Sequence, residues 1–324
     1  MKILTSHTHP ALGVFLSSCA LILSGALSSA QSCPSDIEPP AASQEQLVAC
    51  YQPHIYDPND NTILRRLRYS PDPAIWGTGP YPTVLTIHGG EFSAENDHGS
   101  AYQAFADKDL SDAGFLVFSI EYRLAPDGLI LQQTSHDNTV LGIASGRPPQ
   151  QSNDVKQEIL AARADTAHCN GTIFLVGGSS GGTHALWAAL DPNATVPGWS
   201  SASFPKAVVG LSGVYDLTLR TPPPPQQFIN DVQNYTNTID NFIGLEYQYS
   251  VSPLPLVGAA TNGDPVPHYQ SDEMFGALFG HANVREVTIH NSNLHAFNYW
   301  HKLEDNGTTC VSADVVSFLQ AHLP

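Results

Sequence analysis

Positive charge is scarce in this sequence, which has 13 Lys and Arg against 30 Asp and Glu and a formal net charge of −17. Proteins that bind nucleic acids cluster Lys and Arg against the phosphate backbone. The longest basic run here is "RRLR" (65–68), in an alternating stretch that is typical of an exposed strand. The composition therefore argues against a nucleic-acid partner.

The sequence also lacks the patterns of metal and nucleotide sites. Its five cysteines are not spaced as in a zinc site. No Lys follows the glycines of "GGSSGG" (177–182), as a phosphate-binding loop requires. We find no internal repeats, and we expect no cofactor.

Charge is almost absent from the first 30 residues, where Lys2 is the only formally charged side chain. An apolar run from Ala11 to Leu27 is followed by small residues up to Ala30, which predicts a signal peptide cleaved after Ala30 and a secreted or periplasmic protein. An uncleaved anchor is the alternative, although the run is near the lower limit for a membrane span. A lipoprotein box ending at Cys19 is disfavoured because apolar residues continue beyond it. No later stretch is apolar enough to span a bilayer.

Cleavage at that point leaves four cysteines, and an even number in an exported chain suggests two disulfides. Three connectivities are possible. The short loop favours Cys33–Cys50, which leaves Cys169–Cys310. Four glycosylation sequons, which would carry glycans in a eukaryotic host, begin at Asn170, Asn193, Asn234 and Asn306.

Short β-branched and aromatic runs alternate with helical patterns from about residue 62 onward. This alternation predicts an α/β fold with a mostly parallel central sheet and helices on both faces. The predicted strands are 63–70, 82–88, 115–122, 172–176, 206–212 and 284–289, with a weak one within 254–262; the predicted helices are 101–114, 154–167, 183–190, 271–278 and 312–323.

Two polar, turn-rich segments interrupt this rhythm, at about residues 127–150 and 219–252. Insertions of this length are usually lids, binding loops or disordered segments. We therefore expect an N-terminal arm over 31–61 and one domain over 62–324 that carries both insertions. The oligomeric state is not readable.

The "GGSSGG" segment lies between a predicted strand and a predicted helix, which is the context of a nucleophile elbow. Ser179 and Ser180 both have glycines two positions before and two positions after, so either fits G-x-S-x-G. A serine hydroxyl also needs a base, because unaided it is a poor nucleophile at neutral pH.

A second motif, "HGGEF" (88–92), directly follows an apolar predicted strand. Backbone N–H groups in such a glycine turn can stabilise a developing oxyanion. An upstream HGG together with a downstream G-x-S-x-G is much more specific than either motif alone.

These two motifs, with "EYRLAP" (121–126) and "NLHAF" (293–297), resemble the α/β-hydrolases of the hormone-sensitive-lipase-like esterase group. The motifs come in the family's order, and the resemblance spans roughly residues 80–324. It implies a carboxylic ester hydrolase that forms an acyl-enzyme through a Ser-Asp/Glu-His triad.

The family pattern separates the two serines, because its nucleophile is followed by one residue and then by two glycines. Ser179 fits this register and is the expected nucleophile. The resemblance assigns the N–H of Ser180 to the oxyanion hole, beside those of Gly89 and Gly90. One departure is Glu91, which stands where many members have a third glycine and could alter the acyl side of the pocket.

The expected base is His295, which matches the family's His-x-Phe in the loop after the last predicted strand. His290 is too close to the strand end, and His301 falls in the following segment. His295 would take the serine proton and return it to the leaving alcohol.

The expected acid is Asp264, whose "DPVP" resembles the family's Asp-Pro-x-x-Pro and which precedes His295 by 31 residues. It would hold the imidazole tautomer and stabilise the imidazolium. The strand before it is short and weak, so Asp272 and Glu273 are second choices.

Four other polar residues are interpreted as structural. We expect Tyr122 and Arg123 to support the oxyanion turn, Asp154 to cap a helix, and His184 to lie on the elbow helix without a catalytic role.

The leading hypothesis is an exported serine esterase acting on a small-molecule or polymer-borne ester, such as a plant-wall acyl ester, a lipid or a polyester. The alternatives are a peptidase on the same fold and a catalytically silent binding protein, since hydrolase folds also serve as receptors.

Overall fold

A computed structural model describes eleven stretches of the chain. The predicted signal peptide (1–30), residues 127–145 of the first insertion and most of the second insertion lie outside them. The described residues are 33–34, 52–55, 63–94, 101–126, 146–191, 196–217, 226–236, 256–261, 264–280, 284–289 and 292–324.

A mixed sheet forms the centre of the described chain. Its strands are β1 Gln52–Ile55, β2 Ile63–Tyr69, β3 Tyr81–Ile87, β4 Leu116–Ile120, β5 Cys169–Gly178, β6 Ala207–Leu211, β7 Leu256–Thr261 and β8 Val284–Ile289. Their order in the sheet is β1-β2-β4-β3-β5-β6-β7-β8. β2 is antiparallel to β1 and to β4, and all the other neighbours are parallel, as predicted.

Helices pack on both faces of this sheet. The helices in the described chain are α1 Pro73–Trp76, α2 Ala101–Asp112, α3 Gln150–Ala164, α4 Ser180–Leu190, α5 Gln226–Thr236, α6 Tyr269–Leu278 and α7 Val311–Gln320. Apolar residues of α3, α4, α5 and α6 share one core cluster, and those of α2 and α7 share the other. Within the described ranges, no helix combines the length and the apolar character needed to cross a bilayer.

The central strands are buried on both sides, which explains their continuous apolar sequence. Side chains alternate between the two core clusters along each strand. In β5, Leu175 belongs to the cluster with α3 and α4, whereas Phe174 and Val176 belong to the cluster with α2 and α7.

The weak strand predicted within 254–262 is β7. It pairs with β6 over four residues and with β8 over six, in parallel register. Hydrogen bonds to a neighbouring strand on each side therefore stabilise this short segment, whose sequence has only a weak strand pattern. β1, α1 and α5 were not predicted.

The interpretation of Asp154 as a helix cap is wrong. The helix α3 begins four residues earlier, at Gln150, so Asp154 lies inside it and is fully buried. Its carboxylate accepts hydrogen bonds from the backbone N–H of Arg123, at 2.9 Å, and from the guanidinium of the same residue, at 2.7 Å. This ion pair attaches α3 to the segment that follows β4.

Both favoured disulfide pairings are also wrong, because the structure joins Cys33 to Cys310 across 277 residues of sequence. Cys169 is a free thiol, buried at the first residue of the interior strand β5. Cys50 lies outside the described residues. Loop length in the sequence misled the prediction, because Cys33 lies against Cys310, the residue directly before α7.

This pairing predicts the outcome of peptide mapping under non-reducing conditions. A disulfide-linked peptide pair should contain Cys33 and Cys310, and Cys169 should react with a thiol reagent only after unfolding, because its side chain is buried. A linked Cys33–Cys50 or Cys169–Cys310 pair would contradict the structure.

Candidate active site

Ser179 occupies a strained turn between β5 and α4. Its φ of 54° and ψ of −125° are rare for a residue with a side chain. Glycines make this turn possible: a Cβ on Gly177 would lie 2.2 Å from the carbonyl oxygen of Gly181, and a Cβ on Gly181 would lie 2.2 Å from that of Ile87. The backbone crowding that a nucleophile elbow requires is therefore present.

The two adjacent serines have different surroundings. Ser179 is 8% exposed and lines a cavity, whereas Ser180 is 1% exposed and its Oγ lies 3.0 Å from the hydroxyl of Tyr122. The Tyr122 hydroxyl also donates to the carbonyl oxygen of His88, at 3.1 Å. The hydroxyl of Ser180 thus belongs to a buried polar network, and only Ser179 presents its side chain to the cavity.

The glycine loop after β3 lies directly against Ser179. A Cβ on Gly89 would lie 2.9 Å from the Cβ of Ser179, and Gly90 has a φ of 124°, which favours glycine. Ser180 is the first residue of α4, so its N–H has no partner within the helix. The glycine loop and the first residue of α4 therefore both lie next to Ser179.

Two buried histidines support this region. The ring of His88 stacks on Tyr122 at 4.3 Å, and His184 bonds Ser152 through Nδ1, at 2.9 Å, and Gln151 through Nε2, at 2.7 Å. Burial lowers the pKa of His88 to about 4; burial and the nearby His88 lower the pKa of His184 to about 3. Both are therefore neutral at pH 7, in agreement with the structural role expected for His184.

His295 and Asp264 meet in the loops that follow β8 and β7. The Nδ1 of His295 lies 2.6 Å from the Oδ1 of Asp264, which also accepts a hydrogen bond from the N–H of Val266, at 2.8 Å. The Asp264 side chain is fully buried and that of His295 is 25% exposed. When the Nδ1–H donates to this carboxylate, the Nε2 of a neutral ring carries the lone pair that can accept a proton.

The other residues considered from the sequence have different partners or positions. Asp272 pairs with His268 at 2.8 Å, and Glu273 lies beside it in α6. His301 bonds Asp109 at 2.8 Å through its Nε2. His290 lies outside the described residues.

Sequence reasoning missed Ser212, which directly follows β6 and joins the acid to the base loop. Its Oγ donates to the Oδ2 of Asp264 and accepts from the N–H of Ala296, at 3.2 Å. The hydroxyl of Tyr299 lies 3.0 Å from the Oγ of Ser212. The available signal was the position of this serine, at the carboxyl end of the strand next to the elbow strand, where ligand-binding residues gather in open α/β sheets.

A cavity of about 420 Å³ opens beside Ser179 and His295. The helix α5, from the second insertion, provides part of its wall. Its apolar lining includes Phe92, Val214, Phe228, Val232, Pro265, Val266 and Phe297, and its polar lining includes Glu91, Gln103, Gln227, Asp231 and Asn298. The described residues contain no cluster of side chains suited to hold a metal ion.

The low pKa of His184 predicts a pH-dependent contribution to stability. The unfolded chain binds a proton near pH 6.5, whereas the folded histidine does so only near pH 3, so stability is lost as the pH falls below 6.5. Relative to His184→Gln, the free energy of unfolding of the parent should fall by about 1 kcal/mol between pH 7 and pH 5.5. Urea titrations of both proteins measure this difference, and a pH-independent difference would contradict the assignment.

Comparisons with known proteins agree with the resemblance seen in the motifs. No family model matches the sequence. Over 147 residues, 44% of this chain, it is 29% identical to LipM of Mycobacterium tuberculosis, which is described as a probable carboxylic ester hydrolase. This match spans 30% of the length of LipM.

Several solved esterase structures have the same architecture. The native esterase Est2 of Thermogutta terrifontis has a TM-score of 0.59 at 16% identity, covering 84% of this chain and 90% of that one. The same esterase phosphonylated by sarin has a TM-score of 0.61 at 16% identity, with 85% and 93% covered. A bifunctional GH43-CE protein of Bacteroides eggerthii has a TM-score of 0.59 at 21% identity, with 84% and 35% covered. The chain therefore has the α/β-hydrolase fold.

Proposed function

We propose that this protein is a serine hydrolase of carboxylic esters, with Ser179 as nucleophile, His295 as base and Asp264 as the acid that orients the base. The observation that carries the proposal is the short contact of His295 with Asp264, 2.6 Å, beside a cavity that Ser179 also lines. The probable ester hydrolase and the esterases to which the chain is similar support the same class of reaction.

In the first half of the reaction, the Oγ of Ser179 attacks the ester carbonyl carbon while the Nε2 of His295 takes the hydroxyl proton. The imidazolium that forms is stabilised by the carboxylate of Asp264. Collapse of the tetrahedral intermediate breaks the bond to the alcohol oxygen, which leaves with the proton from His295. The acyl group is then esterified to Ser179.

The tetrahedral intermediate carries a negative charge on the former carbonyl oxygen. The N–H groups of Gly89, Gly90 and Ser180 would donate to it, and the strained, crowded backbone holds them in place before the substrate binds. The positive end of the α4 dipole adds to this stabilisation.

In the second half, His295 takes a proton from a water molecule, and the resulting hydroxide attacks the acyl carbon. The new tetrahedral intermediate collapses with transfer of the proton from His295 to the Oγ of Ser179. A carboxylic acid is released and the serine is regenerated.

The proposed location is outside the cytoplasm. The cleavable signal peptide predicted over residues 1–30 is the main argument, and the Cys33–Cys310 disulfide is typical of an oxidising compartment. The sequon residues Asn170, Asn234 and Asn306 are exposed, as surface glycosylation would require.

A fluorophosphonate probe and p-nitrophenyl esters test the proposed function. The parent and Ser180→Ala should react with the probe at residue 179 and hydrolyse the esters, because the alanine keeps its backbone N–H. Ser179→Ala should lose labelling and roughly 10⁴-fold or more of kcat/KM. Labelling lost only in Ser180→Ala would overturn the assignment, and no turnover by the parent would favour a silent binding protein.

Ser212 is expected to act as a positioning residue in this reaction. Ser212→Ala removes a hydrogen bond to the ionised Asp264, so kcat/KM for a p-nitrophenyl ester should fall about 10- to 100-fold. Ser111→Ala, a substitution of another buried serine in α2, is the control and should leave kcat/KM within about twofold. Equal rates for parent and Ser212→Ala would contradict the positioning role.

A further inference from the structure

The cavity beside Ser179 contains two carboxylates whose purpose the reaction does not explain. Glu91 directly follows Gly90 in the oxyanion loop and has a φ of 55°, and Asp231 comes from the wall helix α5. Among the described residues that line this cavity, no Lys or Arg is present. All formal charge on the described lining is therefore negative when His295 is neutral.

The two carboxylates lie close enough to interact. Burial and the charge of Glu91 raise the pKa of Asp231 to about 6, against the lowering effect of a hydrogen bond from Gln227, at 2.7 Å. Within the described chain, Glu91 makes no hydrogen bond or ion pair. Two like charges thus face one cavity, and the part of its lining that the structure describes holds no Lys or Arg beside them.

This charge pattern raises the free energy of the transition state when the ester is uncharged. A carboxylate beside the oxyanion hole repels the negative charge that develops on the carbonyl oxygen. A cation held between the carboxylates and the reacting carbonyl would offset both the repulsion of the pair and the repulsion of the oxyanion. The aromatic rings of Phe228 and Phe297 line the same cavity and suit an alkylated ammonium group.

We propose that Glu91 and Asp231 make this cavity selective for esters that carry an ammonium group. The proposal rests on the proposed esterase function, because it assigns a substrate class to the same site. The substituent that bears the ammonium group lies against the carboxylates, and the scissile carbonyl lies against Gly89, Gly90 and Ser179.

Two matched pairs of substrates test the selectivity. Acetylthiocholine and the thioacetate of 3,3-dimethylbutanethiol have the same shape, but only the first is cationic. The p-nitrophenyl esters of 4-(trimethylammonio)butyrate and 5,5-dimethylhexanoate form the same comparison on the acyl side. The ratio of kcat/KM, cationic over neutral, should be about tenfold or more for at least one pair, as for one partly desolvated charge contact.

Three variants connect this ratio to the carboxylates. Glu91→Gln and Asp231→Asn should each lower the ratio several-fold, and the double variant should bring it near one. Asp112→Asn, on the exposed side of α2, changes the net charge equally and should leave the ratio unchanged. Because each ratio is taken within a single protein, a loss of folded material cancels. A parent ratio near one for both pairs, or a ratio that persists in the double variant, would overturn the proposal.

A binding measurement separates this proposal from the proposed catalysis. In Ser179→Ala, calorimetry should show acetylcholine binding about tenfold or more tightly than 3,3-dimethylbutyl acetate, or the corresponding preference in the acyl-side pair. Selective binding without turnover by the parent would support the cation pocket and reject the esterase. Turnover of neutral and cationic esters at equal rates, with equal binding, would support the esterase and reject the cation pocket.

Discussion

The hydrogen bond between Asp264 and His295 depends on three successive loops at one edge of the sheet. Asp264 follows β7, His295 follows β8, and Ser212, after β6, bonds both the carboxylate and the base loop. Because β6, β7 and β8 are parallel neighbours, their carboxyl ends meet at this edge. The contact therefore requires β6, β7 and β8 to pair in the observed register. A shift of any of these strands would separate the side chains of the site.

A second constraint, backbone crowding, sets the position of the nucleophile. The glycines around Ser179 allow β3, β5 and α4 to approach within distances that no Cβ could tolerate. That approach brings the glycine loop after β3 against the serine and holds Ser180 at the helix start. The same crowding explains why only one of two adjacent serines reaches the cavity, while the other is bound by Tyr122.

The apolar pattern of the sequence predicted seven of the described strands and the parallel architecture, because strands buried on both faces have continuous apolar runs. The motif resemblance predicted the neighbourhood of Ser179, Asp264 and His295. Features that depend on contacts between distant segments were not readable: the ion pair of Asp154, the Cys33–Cys310 disulfide and the role of Ser212. The helix α5 was missed because the insertion around it is polar and turn-rich, although Phe228, Val232 and Tyr235 recur at helical spacing.

The proposed catalysis depends most on Asp264 being the residue that orients the base. The most direct test is kcat/KM for a p-nitrophenyl ester in Asp264→Asn and in Asp272→Asn, the second carboxylate considered from the sequence. The proposed role of Asp264 predicts a loss of roughly 10⁴-fold for Asp264→Asn, because the amide favours the wrong imidazole tautomer, and a change within about twofold for the exposed Asp272→Asn. A large loss in Asp272→Asn with an active Asp264→Asn would contradict it.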